Sequence, residues 1–391
     1  MRHARLTVIA TALLLAGCST TVAGTPVADP SAASKPETGS YSTEARTIGA
    51  TSQEDGEALE GYRMAETVPY LYEVDPALRF NGKVRAGSRS SIGGIAKEIF
   101  GSVPGEALAG AEAGVTVGAD DTKTGATSDA QRKSRGVVVG VYRMASAAAA
   151  TSVVGPGLRG LDAPLFGQAP PPKVTTRIPG YDGAVAYTMT RQTSTATVAL
   201  LAYKQFVIGV YGDLSGEQVK TYFDKQTKGL DGFTPTPLDK VTTLKLDPDG
   251  VAGMTVSPAK GNGGYSLPAR VAVLRQTDVQ RSVKTFADAG VDVVGSGGST
   301  TYRAKDAQGA QHVVDEFLAE NKAAFPKAQS ESIKGVPGST CLTYAAYEGA
   351  PSTDTWCIVA VGRFVAEVSA DQRVQAAQAV GAAYVILKSR Q

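Results

Sequence analysis

The chain has 391 residues, is 42% hydrophobic and carries 39 basic against 37 acidic residues, enough apolar content for two ordinary domains with cores of their own. No basic run is present, so the composition lacks the electrostatic footprint of a nucleic-acid-binding protein. Two histidines and three cysteines leave little material for an ordinary zinc site, and no cofactor motif calls for one.

In chain order, Arg2 and Arg5 form a short positive region before the apolar run Leu6 to Leu15. That run is shorter than the roughly 20 apolar residues a spanning helix needs, and it has the layout of a secretory signal. It ends at Leu15-Ala16-Gly17-Cys18, which resembles the bacterial lipoprotein signal. The resemblance implies cleavage after residue 17, a diacylglycerol thioether on Cys18 and acylation of the new amino terminus. Two or three acyl chains anchor stably where one is marginal, so Cys18 is expected to tie an exported protein to the outer face of the cytoplasmic membrane. Loss of Arg2 and Arg5 with the signal brings the basic count level with the acidic one, which argues against steering to acidic head groups.

Residues 18–56 carry Pro26, Pro30 and Pro36 among Ser, Thr, Ala and Gly, with few large apolar side chains. Such a segment buries too little surface to offset its ordering entropy and predicts a flexible tether. Its start, CSTTVAGTP, resembles tethers of lipoproteins from mycolic-acid-containing actinobacteria.

Two α+β units are expected beyond it, at 57–238 and 239–391. In the first, Gly61 to Phe80 is a mixed entry segment, and Ile92, Ile95 and Ile99 mark one face of a short helix ending near Gly101. The polar run Asp120 to Arg135 reads as a loop and Val137 to Tyr142 as a buried strand. Ser146 caps a helix from Ala147 to Val154. A meander of strands follows at Val174 to Ile178, Ala184 to Met189, Val198 to Tyr203 and Phe206 to Tyr211, with a tight turn at Lys204-Gln205. Ser215 and Gln218 form a capping box for a helix whose stripe is Val219, Tyr222, Phe223 and Leu230.

The second unit repeats this order. Ile178 to Asp213 aligns without a gap on Val336 to Asp371, sharing Pro179/Pro337, Gly180/Gly338, Phe206/Phe364 and Asp213/Asp371. Tyr142-Arg143 matches Tyr302-Arg303, where Arg over the aromatic ring is one reading, and Asp306 takes the place of Ser146 before a helix from Ala307 to Leu318. A strand Arg270 to Leu274 and a helix facing inward through Val279, Val283 and Phe286 read as an addition particular to this copy. The closing helix is assigned the stripe Val374, Ala377, Gly381, Tyr384 and Val385. Each copy is thus strand, helix, meander, helix, and tandem antiparallel sheets with helices against one face satisfy that order.

Cys341 and Cys357 flank the loop Glu348 to Asp354 on two strands of a hairpin, opposite Gly183 and Ala199 of the first copy. Export makes an even count read as a bridge, worth about 3 kcal/mol in the chain-entropy model. The alternative, a catalytic thiol or metal pair, lacks both a Cys-x-x-Cys spacing and a nearby His.

Few residues suggest chemistry. Ser257 and Lys260 match Ser-x-x-Lys, but Pro258 sits inside the motif, no Ser-Asp-Asn exists, and the one Lys-Thr-Gly, at 123–125, comes before it. Gly295 to Thr300 lacks the Lys-Ser/Thr ending of a P-loop and reads as a Gly-rich turn. Asp120-Asp121 and Asp315-Glu316 are neighbours in sequence, whereas glycosidase carboxylates converge from separate elements. His312, the one histidine outside the signal, falls on a helix surface.

The lipid signal, the tether and the duplicated YR-x-x-[SD]–helix–PG–meander unit resemble an uncharacterised family of two-repeat lipoproteins from mycobacteria and their relatives. The resemblance implies location and architecture and transfers no functional residue except Cys18. Three functions are weighed: a surface-tethered, non-catalytic binding or adaptor protein with an envelope lipid, glycan or protein partner; a carrier of envelope lipid or glycolipid; and a hydrolase using Ser257 and Lys260. The first is preferred because no catalytic constellation emerges.

Overall fold

Two seven-stranded antiparallel sheets carry the same strand order in the computed structural model. The structure describes residues 35–127, 130, 133–164, 169–191, 194–258, 263–345 and 350–391. The signal at 1–17, Cys18 and Lys260 lie outside the described residues. Lys35–Gln391 form one compact unit.

In the first sheet the strands are β1 (Phe80–Ser88), β2 (Ala113–Asp120), β3 (Gly136–Arg143), β4 (Lys173–Thr176), β5 (Val185–Arg191), β6 (Ser194–Tyr203) and β7 (Phe206–Gly212), ordered β1-β2-β3-β7-β6-β5-β4. In the second they are β8 (Tyr265–Pro268), β9 (Val293–Ser296), β10 (Thr300–Arg303), β11 (Gln329–Glu331), β12 (Thr340–Ala345), β13 (Thr353–Val361) and β14 (Phe364–Ala370), ordered β8-β9-β10-β14-β13-β12-β11. Among the described residues the helices are α1 (Gln53–Ala65), α2 (Ile92–Phe100), α3 (Ser102–Ala107), α4 (Ala147–Val153), α5 (Gly216–Asp231), α6 (Ala269–Ala272), α7 (Val279–Ala289), α8 (Ala307–Ala324) and α9 (Arg373–Lys388).

The local signals act as their chemistry requires. Ser146 accepts from the Ala149 amide and Asp306 from that of Gly309 at 2.7 Å. Ser215 and Gln218 bond reciprocally, at 3.3 and 2.9 Å. The two-residue turns after β6 and β13 place Lys204 at φ 50° and Gly362 at φ 57°, the left-handed backbone such turns demand.

Helices cover both faces of each sheet, not one, because alternate residues of the central strands are apolar on both sides. In β6, Val198 and Leu200 join α2 and α4 in one core, while Ala199 and Leu201 join α1 and α5 on the opposite face. In the second sheet Cys341, Cys357 and Val359 pack under α9, and Trp356 and Ile358 face α7 and α8. The α1/α5 side of the first sheet and the α7/α8 side of the second belong to one continuous apolar cluster.

Register corrects the gapless alignment. Cys341 pairs with Cys357 as Ala186 pairs with Ala199, so the partner of Cys341 is Ala186, not Gly183. The shift is absorbed in the hairpin, whose connection is longer between β12 and β13 than between β5 and β6. The Cys341–Cys357 disulfide is formed, across sixteen residues.

The stretch from Arg270 to Leu274 is not a strand: α6 ends at Ala272 and a 3-10 turn spans Val273–Arg275. Its apolar run is buried all round, and burial on every side hides the period that separates helix from strand. Nor is this region an addition. β8, α7 and β9 precede β10 as β1, α2 and β2 precede β3, so the repeat is longer than its shared residues reveal. On α9 the buried residues are Ala376, Ala379, Val380, Gly381, Ala382, Ala383, Ile386 and Leu387; of the assigned stripe only Gly381 is among them, and Val374 is exposed. An Ala-rich helix offers apolar residues on most of its surface, which displaced the assignment.

Residues 35–52 are placed in a tether by composition, yet they lie along the second unit. Tyr41 and Ala45 pack on its α9 core, the Arg46 amide donates to the Gly253 carbonyl at 2.9 Å, and Gly381 faces the Glu37 carbonyl. α1 begins at Gln53, capped by Ser52 and Asp55.

Between units, the amides of Asn81 and Gly82 donate to the Thr277 and Gln276 carbonyls, both at 2.9 Å. Arg79 pairs with Asp278, and Tyr62 stacks on Tyr265 with their hydroxyls 3.0 Å apart.

Candidate functional site

A cavity of about 300 Å³ opens on the α7/α8 side of the second sheet. Its floor is the β10–β14–β13–β12 surface, which supplies Thr300, Tyr302, Glu367, Ser369, Trp356 and Tyr344. The last two turns of α8 supply Phe317, Glu320 and Asn321, followed by Phe325, and the turn after α6 supplies Arg275, Gln276 and Thr277. Thr124, from the loop after β2, reaches the rim from the first unit.

Hydrogen bonds hold this wall in place. Glu367 accepts from the Tyr302 hydroxyl and, at 2.6 Å, from the Trp356 indole. Gln276 Nε2 donates to the Tyr302 oxygen at 3.3 Å, and Arg275 Nη1 donates to Tyr265 and Ser296 hydroxyls at 3.2 and 3.0 Å. Thr277 donates to Glu320, and Phe325 stacks on Tyr344 with ring centroids 3.8 Å apart.

Burial sets the titration of these groups. It pushes the Tyr302 hydroxyl well above the ordinary phenol value, with the Glu367 charge acting the same way. The Tyr344 hydroxyl is pushed up to about 12, first by burial and then by Asp354 and Glu367. Burial raises the Glu320 carboxyl above its ordinary value, and Asp278 and Glu367 add to the rise while the Thr277 bond opposes it.

The equivalent place in the first unit is filled. Thr300 faces Glu367 across β10 and β14 as Gly140 faces Gly209 across β3 and β7. A Cβ added at Gly209 would stand 2.8 Å from the Phe100 ring, so this glycine makes room for Phe100, which meets Tyr142 edge-on at 6.2 Å. Val198 stands where Trp356 stands, and Tyr211 where Ser369 stands. α4 stops after seven residues, whereas α8 runs for 18, so the turns bearing Phe317, Glu320 and Asn321 have no counterpart. The residues that the copies share do not reveal this set; its legible signal is the aligned differences Gly209/Glu367 and Val198/Trp356.

The residues singled out from sequence fall elsewhere. Cys341 and Cys357 lie on the α9 side of the sheet, in a closed core. Arg143 is buried between Glu60 and Glu112, at 3.2 and 3.3 Å, and Arg303 pairs with Asp292 and Asp249 at 2.8 and 3.2 Å; ion pairs, not a neighbouring ring, hold both. His312 sits 3.9 Å from Asp288 on the outer side of α8. Asp121 accepts from Arg135 at 2.9 Å, and Glu316 pairs with Arg281 at 3.0 Å. Asp213 and Asp371 occupy the β7–α5 and β14–α9 connections. Among the described residues, no three of His, Cys, Asp and Glu come together as metal ligands. No described helix is long and apolar enough to cross a membrane.

The fold and cavity define a class: a duplicated α+β protein in which the place that Phe100 fills in the first repeat is, in the second, a polar, aromatic-lined pocket. The chain belongs to the DUF7373 family of domains of unknown function, matching the N-terminal domain over residues 47–246 and the C-terminal domain over 252–390. No curated protein matches, and no solved structure does.

Proposed function

We propose that this protein is a membrane-anchored, non-catalytic ligand-binding protein of the cell envelope, with its ligand held in the second-unit cavity. The observation that carries the reading is that the cavity is lined, Tyr302 apart, by residues without a like residue in the first copy, among them Glu367, Trp356 and Glu320, on a fold both copies share. The Leu15-Ala16-Gly17-Cys18 ending supports export and lipidation at Cys18, and the likeness to mycobacterial two-repeat lipoproteins supports an envelope location.

A carrier of acyl chains fits less well. Hydrocarbon would be pressed against Glu320, Glu367 and Arg275, and a charge desolvated without a partner is costly. The serine-hydrolase reading has only Ser257 within the described residues.

Native mass spectrometry of the full chain from its natural host type tests the reading. A reproducible extra mass that disappears in Glu367→Gln supports it; a bare mass in both sinks it. The anchor is tested separately: Cys18→Ala moves the protein from the detergent phase to the aqueous phase, and unchanged partitioning refutes lipidation.

A further inference from the structure

Resting on the ligand-binding reading, we infer that the second-unit cavity takes a neutral sugar ring. The charges in the wall set what the ligand must satisfy. The wall carries both signs, the Glu320 and Glu367 carboxyls and the Arg275 guanidinium, which is held by two hydroxyls, and an anion entering the cavity meets the two carboxyls. A neutral molecule whose groups both donate and accept satisfies each side at once, and hydroxyls do this.

The remaining valences match that chemistry. The two Glu367 oxygens each accept one bond from the protein, and a carboxylate has about four acceptor sites, so half remain for ligand hydroxyls. Asn321 donates through Nδ2 to the Phe317 carbonyl and keeps its amide oxygen for the cavity. Thr300, Ser296 and Ser369 add small hydroxyls around the floor.

Tyr302, Phe317, Phe325, Tyr344 and Trp356 supply flat apolar surface. A pyranose or furanose offers an apolar C–H face and a hydroxyl rim, which is the pairing of ring and polar group found here. The cavity stands at the lower end of the roughly 300–1,000 Å³ range of ligand pockets, which suits a compact ring system.

Trp356 is the chain's single tryptophan, so its emission reports the cavity alone. Full-length protein in detergent is titrated with glucose, mannose, galactose, arabinose and N-acetylglucosamine and their disaccharides, with choline and inorganic phosphate as charged controls. A saturable emission change with a sugar, weakened about tenfold or more in Glu367→Gln and Glu320→Gln that keep the parent's far-ultraviolet circular dichroism, is the expected result. Sugar binding unaffected by both variants places the sugar elsewhere and overturns the inference. A response to choline or phosphate without one to any sugar overturns the sugar class and leaves ligand binding standing. No response to any probe, together with a bare mass from the natural host, overturns both.

Discussion

Where β7 meets β3 the first unit carries Gly209 beside Gly140, and the ring of Phe100 occupies the space above them. Where β14 meets β10 the second carries Glu367 beside Thr300, held by Tyr302 and Trp356. The tyrosine is common to both, yet its surroundings have parted. Among the described residues the Tyr142 hydroxyl is buried with no hydrogen-bond partner, while the Tyr302 hydroxyl donates to Glu367 and accepts from Gln276. One sheet surface therefore supports either a sealed core or a polar cavity, and the choice falls to a few side chains and the length of one helix. At the matched positions Gly209 and Val198 of the first copy only pack, where the second carries the Glu367 carboxylate and the Trp356 indole.

The comparison breaks first at Phe100. If the first unit is a filled version of the second, Phe100→Ala opens a matching void there and costs about 3–5 kcal/mol. Chemical denaturation measures it, and a loss below about 1 kcal/mol would mean that Phe100 is not the plug. Next is the bridge, which the first copy does without at Ala186 and Ala199. Cys341→Ala with Cys357→Ala is expected to cost about 3 kcal/mol in the chain-entropy model, read from the same denaturation. Free thiols in the denatured, unreduced parent would remove the bridge altogether.

The smallest effect is on pH dependence. Glu320 has its carboxyl raised in the folded state, so the folded chain holds that proton more tightly than the unfolded one. Its contribution is complete below the unfolded glutamate value, about 4.3, and is lost as pH rises through the raised folded value. Glu320→Gln removes this decline, so the thermal midpoint of the variant gains on the parent between mildly acidic and neutral pH. Parallel midpoint curves for the two proteins would show that the cavity leaves Glu320 unperturbed.

Much of the fold was legible because its signals are local. Ser146, Asp306 and Ser215 cap helices through bonds to amides three residues on, and turns such as Lys204-Gln205 depend on two backbone conformations. The all-round burial of Val271 to Leu274 erased the period that would have marked α6, and the Ala-rich α9 blurred which side faces in. The register of β12 against β5 was hidden by a hairpin that changed length in compensation.

By itself the amino-acid sequence determined the duplication, the strand, helix, meander and helix that each copy shares, and the cysteine pair, because these rest on local patterns and their recurrence along the chain. Only the tertiary structure decided that helices cover both sheet faces, that residues 35–52 lie against the second unit, and that Glu320 and Glu367 share a cavity. The physical reason is separation. Glu320 stands on α8 and Glu367 on β14, and no local rule of spacing joins them; the packing of a longer helix across four strands does.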